Sequence, residues 1–100
     1  SAASYPSPSP ETIASRKCRQ AVKNKYAAIR GFDITRLTSQ RISMSEREDG
    51  SYFTTIAVPF KTVDATTGKR NRVFWINVEC EISGSGRANI TERETAGYPG

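Results

Sequence analysis

From Arg72 to Ile82 the chain alternates with a two-residue period. Phe74, Ile76, Val78, Cys80 and Ile82 fall on one face, and Val73, Trp75, Asn77, Glu79 and Glu81 on the other. That is the pattern of an antiparallel strand with one face on a core and one toward solvent. Tyr52 to Phe60 reads the same way, with Tyr52, Thr54, Ile56, Val58 and Phe60 opposite Phe53, Thr55, Ala57 and Pro59. Gln40 to Glu48 alternates more weakly through inward Ile42 and Met44. Arg87 to Glu94, alternating through Ala88 and Ile90, fits at most a charged edge strand.

Upstream the period changes to that of a helix. Ala14, Cys18, Ala21, Val22, Ala28 and Ile29 follow three- and four-residue steps, flanked by Ile13 and Tyr26 and interrupted by Lys25. Ser9-Pro10-Glu11 is a helix start: a capping hydroxyl, a proline at the first helical position and an acid in the first turn. Gly31 is a natural stop, so the pattern predicts a helix over 10–30. Ile34 and Leu37 would anchor the connection that follows.

The links decide the topology. Asp49-Gly50 signals a hairpin. A two-residue loop there would put Ile56 and Val58 on the wrong face. A three-residue Asp49-Gly50-Ser51 loop with a glycine bulge instead pairs Met44 with Ile56 and Ile42 with Val58. Pro59 has no N–H to donate and should end pairing with the first strand. The polar stretch 64–69 and Ser83-Gly84-Ser85-Gly86 form the next two links. In-phase pairing of the two clear strands sets Phe60 against Phe74, Val58 against Ile76, Pro59 against Trp75 and Lys61 against Val73. Short links force a meander, whose apolar face the helix must cover. The expectation is an α+β domain: one N-terminal amphipathic helix on a three- to four-stranded antiparallel sheet.

The 100 residues make one domain, expected over 10–94, between small, Pro/Gly-rich tails at 1–9 and 95–100. A core of that size benefits from a staple. Cys18 and Cys80 are the only cysteines, and both project into the same core. As free thiols they would pack as small apolar residues. The even count, the matching faces, the small domain and a start at Ser1 that fits signal-peptide removal all favour a Cys18–Cys80 disulfide, and with it a secreted or periplasmic location. The chain has no histidine, which removes the usual general base and metal ligand, and two thiols fall short of a structural zinc site. No cofactor is expected, and no apolar run is long enough to span a membrane.

Three surfaces are candidates for function. Outward Trp75, Val73 and Pro59, with Phe53 further along near Glu81, make an apolar sheet face suited to a protein partner or a second copy, unless another segment covers it. Arg16, Lys17, Arg19, Lys23 and Arg30 make a basic helix side that could hold nucleic acid or another polyanion, and contribute to a net charge of +5. The carboxylates Glu46, Glu48 and Asp49, and the pair Glu79 and Glu81, fall on a turn and an outward strand face with nothing to raise a pKa. Asn89-Ile90-Thr91 fits a glycosylation sequon, which matters in a eukaryotic secretory host.

In architecture, a helix against an antiparallel meander resembles cystatin-like folds. The inhibitory glutamine–valine–glycine loop is absent, with Thr55-Ile56-Ala57-Val58-Pro59 in the nearest counterpart region. A helix followed by three strands also resembles the double-stranded-RNA-binding module, from which this chain departs by lacking the closing helix. The expected function is that of a non-enzymatic protein-binding module of the inhibitor, envelope-assembly accessory or effector type. The alternative is a polyanion-binding module using the helix.

Overall fold

A computed structural model describes residues 7–63 and 71–93. The link expected at 64–69 and most of both expected tails lie outside the described residues.

Helix α1 spans Pro10–Tyr26 and a short helix α2 spans Ile34–Ser39. Strands β1 (Ser45–Glu46), β2 (Tyr52–Val63), β3 (Asn71–Ile82) and β4 (Ala88–Glu92) form one antiparallel sheet in the order β1-β2-β3-β4. The fold is the expected α+β meander, and the segment after Arg87 does form a fourth strand.

Ser9 caps α1, its hydroxyl accepting from the Thr12 N–H at 3.2 Å. The residues that α1 buries are Ala14, Cys18, Val22 and Tyr26, each four apart. Together with Leu37, Met44, Ile56, Val58, Phe60, Val78, Cys80 and Ile82 they make the core between helix and sheet. The small Ala14 and Cys18 let α1 approach closely, and the Cys18–Cys80 disulfide closes that contact with its Cα atoms 5.9 Å apart.

Helix α1 stops at Tyr26, four residues short of the expected end, because the chain is needed elsewhere. After Tyr26 it turns so that Phe32 packs with Tyr26 and Phe60, ring centroids 6.3 and 6.0 Å apart. Phe60 in turn meets Tyr26 edge-on at 5.6 Å and stacks on Phe74 at 5.4 Å. Ala28 and Ile29, expected on the buried stripe, are exposed as a result. Lys25 is exposed too, its ammonium 5.9 Å above the Tyr26 ring.

The same detour covers the free edge of β2. Lys61 donates its N–H to the Gly31 carbonyl at 2.7 Å and Asp33 donates to the Pro59 carbonyl at 3.0 Å. Gly31 has φ +91°, and a Cβ there would lie 2.5 Å from the Lys61 carbonyl oxygen, so only glycine fits. Because the Pro59 carbonyl faces this edge, its missing N–H faces it as well, and the ladder to β3 loses nothing.

Pairing of β2 with β3 has the expected register throughout, including Pro59 opposite Trp75 and Phe60 opposite Phe74. The first hairpin differs. Ser45 pairs with Phe53 and Glu46 with Tyr52, two residues from the expected register. Its loop has three residues and a glycine at φ +84°, but these are Glu48-Asp49-Gly50, with Arg47 donating to the Ser51 carbonyl at 2.8 Å. Asp49 draws Ser51 into the stem by accepting from both its N–H and its hydroxyl, at 2.9 and 2.6 Å. A two-residue slip preserves facing, so Met44 remains in the core but lies beside Thr54, whose hydroxyl donates to the Ser43 carbonyl at 2.7 Å. Pairing of β1 with β2 ends at Phe53, well before Pro59.

Candidate protein-binding surface

Helix α2 shapes one end of the outer sheet face. Asp33 caps it, one carboxylate oxygen accepting from the Arg36 N–H at 3.1 Å while the other pairs with the Arg36 Nε at 3.1 Å and the Lys61 ammonium at 3.5 Å. These interactions, led by the backbone hydrogen bond from Arg36, hold the Asp33 carboxyl below the ordinary carboxylate range. Leu37 plunges into the core with no exposure. Gln40, just past the helix, donates its side-chain amide to the Ala57 carbonyl at 2.8 Å, tying α2 to the edge of β2.

This arrangement leaves a shallow cleft of about 390 Å³ lined by Arg36, Ser39, Gln40, Ala57 and Trp75. Trp75 is 40% exposed, although tryptophan is a residue that folding usually buries. Val73, two residues before it on the same face, is half-buried. Pro59, expected as a third contact residue, is fully buried between Trp75 on β3 and the 31–33 segment at the edge. It stands beside Trp75 on the same face, across the sheet, and presents nothing to a partner. Phe53 is half-buried and stands apart, opposite Glu81 and under the Arg47 guanidinium at 4.5 Å from its ring centroid.

The other end of the outer face is charged and internally paired. Arg47 bridges to Glu81, and Arg93 Nε lies 3.3 Å from Glu79. The outward carboxylates Glu79 and Glu81 are therefore each held by an arginine. Asp49, hydrogen-bonded to Ser51, is held below its usual range, the opposite of what a general acid needs.

The basic side of α1 is divided. Lys17 donates to the Gly86 carbonyl at 2.9 Å, on the turn between β3 and β4, whereas Arg19 donates to the Gln40 carbonyl at 2.7 Å on the opposite flank. Arg16 and Lys23 remain on the solvent side between them. Arg30 lies beyond the end of the helix, exposed in the turn before Gly31, so the expected basic helix side loses its last member.

Sequence reasoning missed α2, which with Gln40 just past its end supplies three of the five cleft residues. Six residues are too short for a periodicity signal, and the readable trace is Asp33 as a cap with Ile34 and Leu37 one turn apart. No known protein family, curated protein or solved structure matches this chain. No helix among the described residues is long and apolar enough to cross a membrane.

Proposed function

We propose that this is a small, secreted or periplasmic, non-enzymatic protein-binding module of the inhibitor, envelope-assembly accessory or effector type. Its contact surface is the Trp75 end of the outer sheet face. The observation that carries this reading is the indole itself, 40% exposed on β3 and paired across the sheet with buried Pro59. Beside it, α2 makes a cleft rather than a flat surface. A large aromatic ring held in place loses little conformational freedom on contact, and rings of this kind dominate protein–protein binding energies. The disulfide supports the oxidising compartment. The polyanion reading draws less support, because Lys17 and Arg19 are already bonded within the fold.

The test compares the wild type with Trp75→Ala and with Arg16→Ala/Lys23→Ala as baits in extracts of the native source, at low and high salt. A specific partner retained at high salt by the wild type and by the arginine–lysine variant, but lost by Trp75→Ala, supports the reading. Unfolding midpoints must stay matched across the three baits. Retention on heparin or nucleic acid that disappears with Arg16 and Lys23, with no partner sensitive to Trp75, would transfer the function to the helix.

A further inference from the structure

Asn89-Ile90-Thr91 is an asparagine, a residue other than proline, and a threonine, the pattern required of an N-glycosylated asparagine. The fold presents that triplet openly. It lies on β4, the last strand in the sheet order, with Asn89 and Thr91 exposed on the outer face and Ile90 turned against the core. Asn89 stands opposite Glu81, and Glu81 opposite Phe53, so the three share one row across the sheet.

We propose that Asn89 is an N-glycosylation site, which rests on the reading that the chain passes through an oxidising secretory compartment. The co-reactant is an oligosaccharide linked through pyrophosphate to a lipid carrier. A bond forms between the Asn89 Nδ2 and the anomeric carbon of the first sugar as the bond from that carbon to the pyrophosphate breaks. The amide gives up one proton and the lipid pyrophosphate leaves, with no change of oxidation state.

The position explains what the sugar does for the fold. A terminal strand exposes backbone donors and acceptors to which another chain can add. A hydrated glycan rooted on β4 obstructs that addition. It also rises over the half of the outer face where Arg47–Glu81 and Arg93–Glu79 are already paired. Trp75 lies six residues further along β3 from Glu81, roughly 20 Å at about 3.3 Å per residue, so the cleft remains open beside it.

The experiment expresses the full chain behind a secretion signal in a eukaryotic host. Cellular and secreted pools are pooled, and their mass is measured before and after peptide-N-glycosidase, with an unreduced alkylation assay alongside. The expected result is a glycan mass that collapses on enzyme treatment, leaving aspartate at residue 89. The glycan should be absent from Asn89→Gln and Thr91→Ala and retained by Thr91→Ser. A wild-type chain with Cys18 and Cys80 protected from alkylation but no sugar at Asn89 overturns this inference alone. Two alkylated cysteines overturn the compartment reading, and with it the natural occurrence of the glycan.

Discussion

Replacing Cys18 and Cys80 together by alanine removes the disulfide cross-link between helix and sheet. Both side chains are fully buried, so the substitution adds no polar group and opens little space. The effect falls mainly on the unfolded chain. The bridge joins residues 62 apart, and closing a loop of that length restricts the unfolded ensemble by roughly 4 kcal/mol on the chain-entropy account. Against roughly 5–15 kcal/mol for a whole domain, that is a large fraction, and at about 4–8 °C per kcal/mol the melting temperature should fall by about 16–32 °C. The assay is urea unfolding of the wild type and of Cys18→Ala/Cys80→Ala, followed by tryptophan fluorescence and far-ultraviolet circular dichroism. The free energy extrapolated to water should fall by about 4 kcal/mol, and the denaturant slope should rise because the uncrosslinked chain exposes more surface when unfolded. A double variant within about 1 kcal/mol of wild type, with the same slope, would refute the argument. It would mean that the uncrosslinked chain is already restricted when unfolded, so that the bridge removes little further entropy.

Two further predictions probe the geometry. Gly31→Ala and Gly50→Ala both force a side chain into the left-handed region, at φ +91° and +84°, but only the first meets an obstacle, the Lys61 carbonyl at 2.5 Å. Gly50→Ala should cost about 1–2 kcal/mol and Gly31→Ala clearly more, both read by chemical denaturation, and equal losses would contradict the edge contact. Tyr26, buried and donating its hydroxyl to Glu92 at 2.7 Å, has its pKa raised well above the ordinary 10.0, first by burial and then by that carboxylate. The neutral phenol is thus favoured in the folded state, so its contribution is complete below pH 10.0 and is lost as the pH climbs beyond it. Stability measured from pH 9 to 12 should decline less steeply in Tyr26→Phe, and parallel curves would remove Tyr26 from the account.

Much of this molecule was determined by local pattern. Period-two alternation located β2 and β3 and, because opposite residues in a sheet share a face, also their register down to Pro59 against Trp75. The four-residue steps of α1 and the matching face of β3 are enough to bring Cys18 and Cys80 together. Alternation could not set the first hairpin, since a slip of two residues leaves every side chain facing the same way. The choice went to Asp49, whose carboxylate captures Ser51. The end of α1 was equally hidden, because helical residues beyond Tyr26 were sacrificed so that Phe32 and Gly31 could close the edge of β2. The candidate surface depended most on tertiary structure. Sequence placed Trp75 outward, but only the packing of α2 against β2 turned the indole into one wall of a cleft, while the 31–33 segment closed the edge beside buried Pro59 and the first hairpin set Phe53 beneath Arg47. A pattern along one strand reports which face a side chain takes, whereas its exposure depends on residues far away in the chain that come to lie against that face.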